Sequence, residues 1–132
     1  MDSLTDQKNK KKVLIVEDEG DMCLLLNIIL TDEDLQIDHV KSLSSAAAYL
    51  KSHQPDIILL DNKLPDGFGV DFITIVKKLS PSSRIIMLTG YDPSAVDVAV
   101  ENGADLFLTK PFTKDQLQAA VHSFLESSQT AV

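Results

Sequence analysis

Short unbroken apolar runs recur along this chain, and each stops at a polar side chain. VLIVED ends in Glu17 and Asp18, IILLD in Asp61, IIMLTG at Thr89 and Gly90, and LFLTKP at Lys110 and Pro111. Runs this short and continuous suit strands buried on both faces, as in a parallel sheet covered by helices. Between them, apolar residues return every three to four positions, the spacing of helices with one buried face. The pattern predicts five strand–helix pairs filling one domain.

The first strand is expected over about Lys12–Glu17, with a helix from about Gly20 to Thr31 that buries Met22, Leu25, Leu26 and Ile29. Leu24, Ile28 and Leu30 make that helix apolar nearly all round. The second strand, about Gln36–Val40, alternates and fits a sheet edge. A helix starting near Ser42–Ser44 buries Leu43, Ala46, Ala47 and Leu50. Strand three is Ile57–Leu60, and the loop NKLPDGFG after it carries a strong turn signal in Pro65-Asp66-Gly67. A helix over about Val70–Leu79 and a strand over Arg84–Leu88 follow. Asp92-Pro93 reads as an N-cap with proline at the first helical position, and Asn102-Gly103 as a left-handed helix end. Strand five is Leu106–Thr109, and a last helix from about Lys114 buries Leu117, Ala120, Val121, Phe124 and Leu125. Residues 1–11 read as a disordered polar tail, 12–127 as the domain and 128–132 as a frayed end.

Composition narrows the function. A formal charge of -8 and a sequence pI near 4.6 argue against sequence-independent nucleic-acid binding, which needs a basic face. Cys23 is the sole cysteine, so no intramolecular disulfide can form, and its apolar neighbours mark it as a core residue. No segment approaches the roughly 18 apolar residues of a membrane span. The start MDSLTDQKNKKK has no apolar stretch of a secretory signal. A cytoplasmic protein without membrane contact is expected.

Parallel strands share a direction, so their carboxyl ends emerge along one sheet edge, where open α/β sheets bind ligands. Glu17, Asp18, Asp61, Thr89 and Lys110 would meet there. Three carboxylates cannot crowd together ionised without a counterion, and a hard dication with oxygen ligands, magnesium above all, resolves the repulsion. Such an ion would also neutralise an incoming phosphoryl group beside a carboxylate nucleophile. Lys110 offers a point charge to a phosphate oxygen. The Thr89 hydroxyl and the Gly90 N–H reach the same oxygens. The set reads as phosphoryl transfer to Asp61.

From about Lys11 to Ser127 the chain resembles the receiver domain of two-component response regulators. Glu17-Asp18, Asp61 followed by Leu64, Pro65 and Gly69, Thr89-Gly90, and Lys110-Pro111 carry the resemblance, in order and at the family's spacing. It implies a flavodoxin-like (βα)5 fold, a doubly wound five-stranded parallel sheet in 2-1-3-4-5 order. It makes Asp61 the phosphoacceptor, with Lys110 and Thr89 as its catalytic partners and Asn62, Lys63 and Gly90 contacting the phosphate. Asp18 and Asp61 would ligate magnesium directly, Glu17 through a water, and Lys63 through its backbone carbonyl. The family also has a cis peptide at the position of Lys110-Pro111, and Thr89 with Phe107 would form the switch. The implied phosphodonor is a histidine kinase or a histidine phosphotransfer protein. The output surface is the fourth helix, fifth strand and fifth helix, about Pro93–Glu126, meeting a second subunit or an effector. The protein would then be no enzyme with a separate substrate, catalysing only its own phosphorylation and dephosphorylation. Two other readings remain: a receiver-like binding module that signals unphosphorylated, and an aspartyl-phosphate phosphatase. The intact residue set speaks against the first. Lys63, standing where a general acid would be needed, and the lack of a lid insertion speak against the second. The chain is either a stand-alone receiver or the receiver part of a longer protein.

Overall fold

The computed structural model describes residues 10–31, 34–90 and 93–130. Most of the expected N-terminal tail and Asp92, the expected N-cap, lie outside the described residues. The sheet strands are β1 (Lys11–Val16), β2 (Leu35–Val40), β3 (Ile57–Asp61), β4 (Arg84–Thr89) and β5 (Leu106–Thr109). The helices are α1 (Gly20–Thr31), α2 (Leu43–Leu50), α3 (Gly69–Leu79), α4 (Pro93–Asn102) and α5 (Lys114–Thr130). All sheet pairings are parallel, in the order β2-β1-β3-β4-β5, so the alternating second strand does sit at an edge.

The two faces of the sheet carry two cores, because successive side chains on a strand point to opposite sides. Leu14, Val16, Ile58, Leu60, Ile85 and Met87 pack against α2, α3 and α4. Val13, Ile15, Ile57, Leu59, Ile86 and Leu88 pack against α1 and α5. Both sides of β1, β3 and β4 are therefore dry. This explains why their sequences run apolar without alternation.

β1 begins at Lys11, which pairs with Leu35. Helical backbone in α5 continues to Thr130. Two sequence expectations need correction. The face of α1 is rotated: Cys23, Leu26, Ile29 and Leu30 are buried, while Leu24, Leu25 and Ile28 are 61%, 42% and 60% exposed. Finally, the loop after β3 folds into a two-stranded antiparallel hairpin, pairing Lys63 with Phe68 and Leu64 with Gly67. Cys23 is buried as expected, and Gly103 closes α4 with φ +103°, in the left-handed region.

Candidate functional site

The carboxyl ends of β1, β3, β4 and β5 bring the candidate side chains to one crevice of about 570 Å³. Asp61 is the last residue of β3, 5% exposed, and Glu17 follows β1 at 1%. Asp18 is exposed at the mouth. One carboxylate oxygen from each of the three lies within 4.8 Å of the others. Lys110, just past β5, closes the group: its Nζ stands 2.6 Å from Asp61 Oδ1 and 3.3 Å from Glu17 Oε1. The Lys110-Pro111 peptide is cis.

Electrostatics follow from this packing. Burial raises the Glu17 carboxyl above its ordinary value, an effect that the nearby Asp61 charge reinforces; the Glu19 N–H and the Lys110 ammonium oppose it without cancelling it. Burial by itself would lower the Lys110 pKa. Its hydrogen bond to Asp61 and the Asp61 and Glu17 charges outweigh that, and the ammonium is held above its ordinary value. The site is an acidic pocket into which Lys110 brings a cation paired with Asp61 and Glu17.

Of the remaining predicted residues, all but Phe107 also line the crevice. Thr89 ends β4, is buried, and its hydroxyl donates to the Gly90 carbonyl at 3.1 Å. Lys63 is exposed on the hairpin and borders the crevice, as do Asn62 and Gly90. Asn62 is largely committed to the fold. Its N–H donates to Leu88 O (3.1 Å), its carbonyl accepts from Gly69 N–H (2.7 Å), and its Oδ1 accepts from Val70 N–H (3.2 Å). Phe107 lies apart from the crevice, opposite Met87 on β5 and packed half-buried on the core. Sequence reasoning missed Glu19, which also borders the crevice and donates its N–H to Glu17 Oε2 at 3.2 Å. Its place two residues after Glu17, in a third consecutive acidic position, was the available signal. It also missed that His39 Nε2 lies 2.8 Å from both Glu17 O and Cys23 Sγ, behind the acidic pair.

The donor set fits a hard dication. Three carboxylates within reach of one another offer only oxygen, the ligand class magnesium and calcium take. A buried carboxyl with a raised proton affinity is also a group that a cation would relieve.

A doubly wound parallel sheet with an acidic crevice at the carboxyl ends of its strands defines a flavodoxin-like fold whose clustered carboxylates could hold a cation. The chain belongs to the response regulator receiver domain family, whose model matches residues 13–122. It is thereby a receiver domain of two-component signalling. It is 34% identical over 117 residues to the regulatory protein LuxO of Vibrio cholerae, covering 86% of this chain and 25% of LuxO. It is 29% identical over 116 residues to sporulation initiation phosphotransferase F of Bacillus subtilis, covering 87% of this chain and 94% of that protein. A CheY-like response regulator receiver domain protein of Methanospirillum hungatei superposes with a TM-score of 0.87 at 25% identity, over 94% of this chain and 100% of the other. Against the transcriptional regulatory proteins KdpE and PhoB, which it also matches, the chain spans 48% to 52% of their length. Among the described residues, no helix is long and apolar enough to cross a membrane.

Proposed function

We propose that the protein accepts a phosphoryl group on Asp61 from a phosphohistidine donor, in a magnesium-dependent reaction, and signals by changing the surface of α4, β5 and α5. The observation that carries this reading is the placement of Asp61: a buried carboxylate at a strand end, hydrogen-bonded to a lysine at 2.6 Å and flanked by two further acids. An Asp61 oxygen attacks the phosphorus, the phosphorus–nitrogen bond to the donor imidazole breaks, and an acyl phosphate forms on the side chain. Lys110 then moves its charge from the carboxylate to a phosphoryl oxygen. The Thr89 hydroxyl, which donates to the neighbouring Gly90 carbonyl at 3.1 Å, turns to another phosphoryl oxygen, and the Gly90 N–H meets the same group. Asp18, Asp61 and the Lys63 carbonyl would hold the ion directly and Glu17 through a water; when bound, the ion supplies charge neutralisation for the transferred group. Asn62 and Lys63 border the phosphate from the hairpin side. The donor would be a histidine kinase or histidine phosphotransfer protein, and the setting the cytoplasm. Receiver domains are phosphoacceptors rather than enzymes with a separate substrate, and the only catalysis proposed is the protein's own phosphorylation and dephosphorylation. The domain itself is proposed to span 12–127.

With magnesium and acetyl phosphate, the protein is expected to gain one acid-stable, hydroxylamine-labile phosphoryl group. Asp61→Asn should abolish labelling, and EDTA should stop it in the wild type. Undiminished labelling in either case sinks the assignment.

The switch has a structural route. Thr89 pairs with Thr109 at the ends of β4 and β5, and Phe107 sits two residues back on the same face of β5. Drawing the Thr89 hydroxyl toward phosphate opens room that Phe107 can take. Phe107 has no hydroxyl to anchor it outward, so packing alone sets the gap between its two positions. Beryllofluoride should therefore shift the NMR signals of Phe107 and α4 in the wild type, and Thr89→Ala should suppress those shifts. Equal shifts in both proteins would show that the loops act without this coupling.

A further inference from the structure

The N–H groups of a helix's first turn find no partner inside the helix. In α2 three of them are taken by side chains. The Ser45 N–H donates to the Ser42 hydroxyl at 3.1 Å, an ordinary N-cap. The Leu43 and Ser44 N–H groups donate to the two oxygens of one carboxylate, Asp66, each at 2.9 Å. Asp66 does not belong to that helix. It sits in the turn of the hairpin that follows Asp61, between the paired strands Lys63–Leu64 and Gly67–Phe68. These two backbone bonds hold its carboxyl below the ordinary range, and the positive end of the α2 dipole favours the same charge.

The hairpin needs such an anchor. It has two residue pairs, and so short a two-stranded element is marginal in water. At its base, Gly69 N–H and Val70 N–H bond the Asn62 carbonyl and side chain. Midway, Leu64 is buried in the core, and at the tip the Asp66 carboxylate holds the α2 N–H groups. Gly67 adopts φ +151° there, and a side chain on it would press Leu43 Cδ1 at 3.1 Å, so the tip lies hard against α2. Lys63 lies between base and tip and borders the crevice.

We propose that Asp66 is a positioning residue for the acceptor site: by clamping the hairpin tip to the α2 N-terminus, it holds the Lys63 peptide where the crevice needs it to receive a cation. The proposal rests on the reading of the site given above. Ser42 caps α2 for the helix's own sake; Asp66 serves the loop.

Magnesium chloride alone is the probe, titrated into wild type, Asp66→Ala, Asp66→Asn and Ser42→Ala and followed by calorimetry and amide NMR. Partners that orient ligating groups typically change metal affinity by 10- to 100-fold, so Asp66→Ala should weaken binding about tenfold. Asp66→Asn keeps one acceptor oxygen and should lose less; it carries the test if the alanine variant fails to fold. Ser42→Ala should lower the thermal midpoint and leave magnesium affinity unchanged. In EDTA, exchange of the Gly69 amide should quicken in Asp66→Ala and not in Ser42→Ala. Unchanged affinity in both Asp66 variants, or equal weakening by Ser42→Ala, overturns the proposal and makes Asp66 a helix cap only. A wild type that fails to bind magnesium would overturn the site reading itself, and this proposal with it.

Discussion

Gly69→Ala is expected to destabilise the protein by at least about 2–3 kcal/mol, at the upper end of what overpacking costs, and to impair phosphoryl acceptance as well. A methyl group on Gly69 would overlap the carbonyl oxygen of Asp61 and would also press Leu60 Cγ at 3.1 Å. The obstacle is backbone, which cannot swing aside as a side chain can. Relief requires moving either the start of α3, tied through Gly69 N–H to Asn62 O at 2.7 Å, or the acceptor residue itself. Either shift breaks the geometry at the end of β3. Gly20→Ala is the matched control, since a methyl group there would meet nothing within 4 Å. Urea unfolding and acetyl phosphate labelling should separate the two variants sharply. Equal behaviour would mean that the loop after β3 is far more compliant than its hydrogen bonds imply.

Lys110→Met removes the internal cation from between Asp61 and Glu17 and should cost about 2–3 kcal/mol at neutral pH. Breaking a buried ion pair by deleting one partner costs roughly 3–5 kcal/mol, and the partial exposure of Lys110 reduces that. The pH dependence has a defined sign. Lys110 has its pKa raised in the folded state, so its contribution is complete below its ordinary value of 10.5 and is lost as pH climbs through the raised folded value. Glu17 is a carboxyl with a raised pKa, so the folded chain binds that proton more tightly than the unfolded chain. Its ionisation weakens the fold as pH rises from 4.5 through the raised value. Without the ammonium, Glu17 ionises at a greater cost. The deficit of Lys110→Met relative to wild type should therefore shrink as pH falls toward 4.5. The variant should also bind magnesium more tightly, because no ammonium competes for the carboxylates. Its phosphorylation should be slower by about a hundredfold, the scale for losing one preorganised charge partner. A deficit that is flat across this pH range would show that Lys110 stabilises the fold by packing alone.

The sheet was legible because burial on both faces forces continuous apolar runs, and those runs have few other uses in a chain this short. Their polar endings told where chemistry collects, since parallel strands put every such ending at one edge. The phase of α1 was not legible. From Met22 to Leu30 every position but Asn27 is apolar, so hydrophobicity cannot choose a face. Contacts chose it: Leu26, Ile29 and Leu30 meet the core built on Val13 and Ile15. The hairpin was hidden for the opposite reason. NKLPDGFG has a clear turn signal and too few apolar residues to advertise strands, and its two pairs persist beside a tether to α2 that sequence spacing does not reveal. His39 behind Glu17 was equally hidden, because a lone histidine on an edge strand carries no pattern.

The central claim is that Asp61, among the clustered acids, receives the phosphoryl group. Borohydride reduces an acyl phosphate to an alcohol, converting a phosphorylated aspartate into homoserine and marking its position permanently. After acetyl phosphate and magnesium treatment, reduction and tandem mass spectrometry of the peptides should find homoserine at position 61. Reduction product at position 18, the corresponding alcohol at Glu17, or no reduced residue at all would contradict the account.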